Sequence, residues 1–593
     1  MSSVAYATRA PETSTHDAEA TPFQQPYVEQ SRDDAKLAEK IVKRQGQLED
    51  ERSLIDAFWN LVDEIITPRR AVWDLGSRRG MMPGEKLGAE VYDQTCSSAG
   101  QDFADGLQGQ TASAGLVWWA IHFQNKLAQK DYMARQWIDE VQELAAIEMA
   151  NSNFYSQYNE ACQDGVFFGI ATMAKPIWLP FSHKLSYQAH HNREIFVARD
   201  DNGEINLWHR KFPMQNRQID EKFGLERLDY KLRQEIEKNP FQRRMVIHSL
   251  YLNTERDTRK WTSENKRVAS VYVLENEKLI LRKSGFDDWP LSTWCFRRNS
   301  QEDYGRGPAM DSIFEAASVN SAVHYLMDAA QLAVMKPLVA QESLKNKIKI
   351  SPWGITWLQA GEPAPTELFH GAGKEYPIGV DQVMKMREEL REKFKAKTFQ
   401  LLSYLTQMTS RMNQMQIAEI QGEKAAALIP IVGPGQSELL IPMIRSTLQV
   451  LFANGRLPPP PPSILAYDPS TYFEFLGPIA VAIKRYLQMQ GINPFLLRLI
   501  GDRPLIDVWP ELKDKMKADE LYDYLFEADG APSKIDQDPD TLIKIRQAKL
   551  QQIQQEQRMQ QLERLAGGYK QVQGAPEPGS PGEKLMGGQG GQQ

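Results

Sequence analysis

Two long amphipathic stretches on either side of a short irregular insert most constrain how this 593-residue chain can fold. In residues 308–335, small and apolar side chains recur every three or four positions, a pattern typical of a helix with a narrow packing seam. The seam residues are Ile313, Ala316, Val319, Val323, Leu326, Ala330 and Ala333. At 1.5 Å per residue this helix would be about 40 Å long. The second stretch covers residues 380–412.

The insert between these helices, residues 336–379, is short and punctuated by proline and glycine. Lys336-Pro337 ends the first helix, because the residue before a proline avoids the helical backbone conformation. Gly371-Ala372-Gly373-Lys374 resembles part of a phosphate-binding loop. However, Leu368 and Glu375 stand where such a loop needs glycine and serine or threonine. We therefore predict a two-helix hairpin around a compact insert, without a nucleotide site.

The middle of the chain, from Val166 to Trp294, has a different pattern of apolar residues. Its apolar runs are short, β-branched and aromatic, as in Val166-Phe167-Phe168 and Val271-Tyr272-Val273. Asp201-Asn202-Gly203 separates two such runs, which indicates a β-hairpin. We predict an antiparallel, β-rich region here, interrupted by a charged helix at about residues 227–237.

The preceding residues read as mostly helical. A first helix is predicted over residues 34–66, with an apolar face formed by Leu48, Ile55, Phe58, Leu61 and Ile65. Residues 85–165 continue the helical pattern, with a short extended segment at Gly115–Trp119. After the second long helix we predict a loop near residues 429–435, a helix over 437–454 and a stiff proline connector at 458–462.

Composition excludes several classes of protein. Three cysteines are too few for a disulfide framework or a structural zinc site, and each is expected to be a small core residue. No apolar run approaches the roughly 18 residues that span a bilayer, and the sequence begins without a signal-peptide pattern. His183, His190 and His191 are predicted to be surface residues, because adjacent strand residues point to opposite faces. No serine-hydrolase or metalloprotease motif is present.

The second long helix is positively charged in a chain of formal charge −7. Its basic residues outnumber its acidic ones, which are Asp381, Glu388, Glu389 and Glu392. One interpretation is a solvated face with intrahelical ion pairs, the commoner reason for a run of charges. The other is a surface facing a passing polyanion, which weak, salt-screened contacts would allow to slide. The pattern alone favours the first interpretation.

Several short segments, taken in order, resemble the portal proteins, which are the head-to-tail connecting proteins of short-tailed bacteriophages. The most recognisable segment is residues 298–308 followed by Asn320, in which glycines allow a tight turn and proline suits a first helical turn. Its core is Tyr304, Gly305, Arg306, Gly307 and Pro308. The other similar segments are residues 93–107 with Trp118, 333–338, 411–419, 422–424 with Gly433, Pro434 and Glu438, and 455–458. The chain departs from the family at residues 415–419, where a Thr-Ala-Thr-Glu type sequence is expected.

The resemblance implies an α+β portal fold assembled as a ring, usually of twelve subunits. The implied regions are an extended arm (1–44), a mixed helical and β-rich wing (45–307), stem helices (308–335 and 380–412) and a clip (336–379). They continue with a channel loop (413–436), a wing return with the proline connector (437–477), a helical crown (478–566) and a disordered tail (567–593).

The resemblance also implies which residues act. The DNA channel would be lined by Lys385, Arg387, Arg391, Lys393, Lys395, Lys397, Arg411 and Lys424. The clip would meet its partners through Lys345, Lys347, Trp353 and Trp357. No catalytic residue, metal ligand or cofactor is implied.

The implied function is that of a non-enzymatic portal protein at one capsid vertex, which passes double-stranded DNA during packaging and ejection. Its partners would be copies of itself, the terminase, the tail adaptor, the major capsid and scaffolding proteins, and internal core proteins at the crown. It would be a virion component assembled in the host bacterial cytoplasm.

One alternative is a nuclease or ligase with a basic groove, which would need a carboxylate cluster or nucleotide lysine that the sequence lacks. The other is a cytoplasmic scaffold, against which the β-rich middle argues.

Overall fold

The α1 helix opens the part of the chain that a computed structural model describes. The described residues are 31–68, 90–334, 338–342, 364–367, 376–394, 426–481 and 539–571, with short gaps, and a few isolated positions such as Trp357. Most of the predicted arm and insert, the predicted loop as far as residue 425, and residues 485–538 lie outside them.

The helices follow one another with the strands between them. They are α1 (Arg32–Ile65), α2 (Thr95–Thr111), α3 (Tyr132–Ala150), α4 (Phe154–Phe168), α5 (Asn216–Phe223), α6 (Tyr230–Lys238), α7 (Pro308–Asp311), α8 (Ile313–Val334), α9 (Tyr376–Lys393), α10 (Ile429–Pro434), α11 (Ile441–Ala453) and α12 (Pro539–Gln571). The loop predicted near residues 429–435 is wrong, because these residues form α10 and the first residue of a π-helical turn, Gly435–Leu440, that joins α10 to α11.

The strands form antiparallel sheets, which confirms the predicted mixture of helices and antiparallel strands. They are β1 (Trp119–Phe123), β2 (Ile170–Leu179), β3 (Lys184–His190), β4 (Ile195–Arg199), β5 (Ile205–Gln215), β6 (Arg243–Leu252), β7 (Val268–Leu274), β8 (Leu279–Phe286), β9 (Leu291–Cys295), β10 (Leu338–Val339), β11 (Thr366–Glu367) and β12 (Thr471–Phe475). The largest sheet has the order β4-β5-β6-β7-β8, and a smaller one has the order β3-β2-β9.

The α1 helix begins at Arg32, inside the predicted arm, where the Ser31 hydroxyl accepts a hydrogen bond from the Asp34 N–H at 3.1 Å. The predicted apolar face of α1 is partly wrong, because Phe58 and Leu61 are exposed. The buried face also carries polar residues. One of them is Arg52, whose Nη1 donates to the Ile195 carbonyl at 2.7 Å. A hydrophobic pattern cannot detect a helix face that is held by such contacts.

The five-stranded sheet has helices on both faces. Ala38 and Ile41 of α1 pack against Val271 and Ile280 on one face. On the other face, α5 and α6 cover a second cluster, whose buried members are Met214, Ile219, Leu228, Ile236, Val246, Leu274 and Leu281. The predicted β4–β5 hairpin is confirmed, and Gly203 adopts a φ of 82° in its turn, a conformation that glycine reaches without strain.

Two local predictions in the β-rich region are wrong. Val166-Phe167-Phe168 is the last turn of α4, which ends where Gly169 adopts a φ of 82°, and the strand starts only at Ile170. His190 is buried, because its side of β3 faces Trp208 of the five-stranded sheet. The predicted helix at 227–237 is confirmed as α6, and the three cysteines are buried as predicted.

The described chain divides into two units. The first contains residues 1–120, 143–458 and 473–504, and the second contains 121–142, 459–472 and 505–593. In the second unit α12 extends to Gln571, past the predicted start of the tail. None of the described helices combines the length and the apolar character needed to cross a bilayer.

Candidate functional site: the α8–α9 hairpin

The α8 and α9 helices pack against each other as the two predicted long helices should. Ile313, Ala316 and Val319 of the predicted seam are buried, and the next seam residues of α8 are partly buried. Close approach is required at Gly379, where an added Cβ would lie 2.9 Å from Cδ2 of Leu326. Small residues therefore set the spacing of this hairpin.

The start of α8 is fixed to the sheets by the Tyr304 motif. The Tyr304 hydroxyl accepts a hydrogen bond from the Val197 N–H at 3.1 Å, and its ring meets Trp59 edge-on with centroids 5.6 Å apart. Burial raises the pKa of this hydroxyl, so it stays protonated near neutral pH. Pro308 occupies the first turn of α7, as predicted. The motif thus joins the hairpin to the β-rich region.

The two glycines of the motif are required for close packing, and not for the tight turn that the sequence suggested. A Cβ on Gly305 would collide with the carbonyl oxygen of Gly169, and one on Gly307 would collide with that of Val166. Gly307 itself has an ordinary extended backbone with φ −87°. The backbone before α7 therefore lies directly on the end of α4.

A second attachment joins the hairpin to the segment before α2. The Asn320 side-chain oxygen accepts hydrogen bonds from the N–H groups of Tyr92 (2.7 Å) and Asp93 (3.1 Å). Its Nδ2 donates to the Glu90 carbonyl at 2.8 Å. One turn later, His324 stacks on the Tyr92 ring with centroids 4.4 Å apart. Sequence reasoning included Asn320 in the family motif but missed Tyr92 and His324, which carry no local signal.

Asp93 connects this segment to α9. Its side chain is only 5% exposed and receives both Nε and Nη2 of Arg387 at 2.7 Å. Its other oxygen accepts a hydrogen bond from the Thr95 N–H at 2.9 Å. A buried carboxylate is stable when it is paired and hydrogen-bonded in this way. One aspartate therefore holds α2, α8 and α9 in register.

Besides Arg387, three predicted channel residues form ion pairs within the chain. Lys385 pairs with Asp381 at 3.0 Å and Arg391 with Glu388 at 3.9 Å, both along α9. Lys393 reaches across to Glu315 of α8. Four basic and four acidic side chains balance in α9, so the predicted positive excess comes from residues beyond it. Lys395, Lys397, Arg411 and Lys424 lie outside the described residues.

The predicted clip is described only at its base and at a few positions. There β10 pairs with β11, Leu338 opposite Glu367 and Val339 opposite Thr366, so the chain returns beside its point of departure. Trp357 is 83% exposed. Lys345, Lys347 and Trp353 lie outside the described residues, as does the phosphate-loop-like segment at 371–374.

A serine, a histidine and a glutamine are hydrogen-bonded to one another in the core, where the buried serine cannot reach a substrate as a nucleophile. His209 lies between Gln45 (Nδ1 to Oε1, 3.0 Å) and Ser249 (Nε2 to Oγ, 2.8 Å), and all three are buried. Burial lowers the pKa of His209 to about 3, so the ring is neutral, and its role is to join α1 to β5 and β6. Among the described residues, no group of three acidic, histidine or cysteine side chains is placed to hold a metal ion.

The sequence was also compared with those of known protein families and proteins. The sequence model of the family described as "Bacteriophage head to tail connecting protein" matches residues 38–535. The chain is similar to the "Probable portal protein" of Bordetella phage BPP-1, at 25% identity over 499 residues, covering 82% of this chain and 86% of that protein. It is also similar to the "Portal protein" of Salmonella phage epsilon15, at 23% identity over 546 residues, covering 90% and 94% of the two chains.

Proposed function

This chain belongs to the bacteriophage head-to-tail connecting proteins and is a phage portal protein, and from that membership we propose a specific arrangement. Twelve subunits form a closed ring at one capsid vertex, and α8 and α9 of each subunit form the wall of a channel for double-stranded DNA. Residues 45–307 form the wing around it, and residues 336–379 form the clip.

The observation that carries this proposal is the double attachment of the α8–α9 hairpin. The Tyr304 motif fixes the start of α8 to the five-stranded sheet, and Asp93 with Asn320 fixes both helices to α2. A channel wall has to keep its position while a polymer moves past it. Contacts at both helices, buried against the rest of the subunit, supply that rigidity.

The charge balance of α9 supports a channel in which DNA slides. Each neutralised phosphate adds salt-dependent affinity, so a dense array of unpaired cations would retain the duplex. In α9 the cations that the structure describes are paired with carboxylates of the same subunit. Contacts between these side chains and passing DNA would therefore be weak and strongly screened.

The base of the clip supports a role in docking. Because β10 pairs with β11, the chain leaves and rejoins the hairpin at one point, and we propose that a partner binds the insert between them, residues 340–365, as one unit. We assign this unit to the terminase during packaging and to the tail adaptor afterwards. The major capsid and scaffolding proteins would contact the wing, and internal core proteins the crown. Assembly would take place in the host cytoplasm.

Negative-stain microscopy and mass photometry of the purified chain test the proposal. The expected particle is a ring with a central hole wide enough for a DNA duplex and a mass close to twelve times 67.6 kDa. Compact monomers with nuclease or ATPase activity would contradict it.

A further inference from the structure

The outward face of α8 carries an apolar stripe that no described part of the subunit covers. Phe314 is 69% exposed, Tyr325 is 70% exposed and Leu332 is 45% exposed. They follow one another at spacings of eleven and seven residues, close to whole numbers of 3.6-residue turns. The three side chains therefore lie along one line, about 27 Å long, on the side of α8 opposite its buried seam.

The residues between these side chains are small. Ser318 and Ser321 lie on the same line and are exposed, and Ala317 and Ala322 flank it. Large side chains alternating with small ones form ridges and grooves of the kind that a second helix fills. This shape suits another helix better than a small ligand.

The two helices of the hairpin differ in the chemistry of their outward faces. Opposite its buried residues, α9 carries Asp381, Lys385, Glu388 and Glu392, spaced four, three and four residues apart. The α8 line has no charge from Phe314 to Tyr325 and then only Asp328 before Leu332. A charged face suits exposure to water, whereas an uncharged aromatic face suits burial against protein.

The area of the stripe fits an interface between protein subunits. An aromatic side chain buries 150–250 Å², so the exposed parts of the three side chains amount to roughly 350 Å². A standard interface buries about 800 Å² on each partner, and the apolar centre accounts for much of its energy. The stripe therefore supplies the central part of one such surface.

We propose that the Phe314–Tyr325–Leu332 stripe of α8 is the surface on which the next copy of this chain packs in the ring, an inference that rests on the proposed function. A closed ring is built from head-to-tail contacts, in which each subunit presents two different surfaces. The stripe is one of the two. The neighbouring copy covers it with a helix, while the charged face of α9 stays open to the channel.

The first test is assembly of a variant with Phe314→Ser, Tyr325→Ser and Leu332→Ser. Because these side chains are exposed in the single subunit, the variant should keep its helical circular dichroism. Mass photometry should show at least a tenfold loss of rings in favour of monomers. The matched control is Phe181→Ser, which removes an aromatic that is 96% exposed on the turn between β2 and β3. It should assemble like the wild type.

A second test does not depend on the folding of the triple variant. The photo-crosslinking amino acid p-benzoylphenylalanine replaces Tyr325 in otherwise wild-type chains, and the assembled particles are illuminated. Covalent dimers with adducts mapped by mass spectrometry to another copy are expected. Adducts within one chain, or none in particles that do assemble, would overturn the inference.

The two proposals fail differently. If the wild-type chain forms no ring, the proposed function falls and this inference falls with it. If the wild-type chain forms rings and the triple variant forms them equally well, only the assignment of the stripe is overturned.

Discussion

Arg387 of α9 donates from both Nε and Nη2 to one carboxylate oxygen of Asp93, at 2.7 Å each, across 294 residues of sequence. Asp93 also receives the N–H of Thr95, so a single buried carboxylate links α9 to the start of α2. The Arg387 guanidinium is therefore part of the framework that positions the hairpin, and its predicted place in the DNA channel stays a prediction.

Replacing Asp93 with asparagine should therefore destabilise the subunit. Asp93→Asn removes a charge-assisted pair from a nearly buried site, and we expect a loss of about 2 kcal/mol in the free energy of unfolding. The control is Asp381→Asn, which removes the exposed partner of Lys385 and should change stability by less than about 0.5 kcal/mol. Urea unfolding of both variants makes the comparison, and equal effects would contradict the assigned role of Asp93.

The Arg387–Asp93 contact also shows which features of the fold can be predicted from the sequence and which cannot. The helical period and small-residue seam of α8 and the Asp-Asn-Gly turn are local patterns, and the structure confirms them. The pairing of Arg387 with Asp93 joins residues far apart in the sequence, so no periodic pattern of residues indicates it. A charge count along α9 therefore could not show that Arg387 is paired within the subunit.

The errors in the sequence-based prediction have the same origin. The buried face of α1 contains Gln45 and Arg52, whose polar groups are satisfied by His209 and by strand carbonyls. Hydrophobic patterning assigns such residues to the surface. The run at 166–168 has strand-like composition, but it packs against α2 and against the Tyr304–Pro308 segment, which only the tertiary structure brings together.

Substitution of Gly305 tests the tight contact that starts the hairpin. In Gly305→Ala the new methyl group would collide with the Gly169 carbonyl, which belongs to the backbone and cannot rotate away. Overpacking of this kind typically destabilises by about 1–3 kcal/mol. We expect a lower melting temperature and a loss of soluble ring. Gly109→Ala serves as the control, because Gly109 is exposed in α2 with nothing near its Cβ position, and it should stabilise by up to about 1 kcal/mol.

The buried histidines predict a loss of stability in mild acid. Burial lowers the pKa of His209 to about 3 and those of His190 and His248 well below 6.5. Below pH 6.5 the unfolded chain gains protons on these rings and the folded chain does not. The free energy of unfolding therefore falls as the pH drops, by about 1.4 kcal/mol per pH unit for each ring.

A pH series of urea unfolding measures this slope for His209. In His209→Gln the slope between pH 6 and pH 4 should be shallower than in the wild type by the contribution of one proton, about 1.4 kcal/mol per unit. Ser249→Ala removes a hydrogen-bond partner of the ring but keeps the ring itself. It should lower stability at every pH and retain the wild-type slope. An unchanged slope in His209→Gln would show that this ring is not responsible.

The predicted clip can be removed without disturbing the rest of the hairpin, because the β10–β11 pairs Leu338–Glu367 and Val339–Thr366 hold its ends together. Replacing residues 340–365 with a short Gly-Ser linker should leave rings of normal diameter by negative-stain microscopy. The same rings should lose binding to purified terminase and tail adaptor in pull-down assays.

Trp357→Ser, which removes a largely exposed indole from this segment, should weaken terminase binding by about tenfold or more, as expected for an aromatic at the centre of an interface. Full terminase binding by rings that lack residues 340–365 would place the docking surface elsewhere on the subunit.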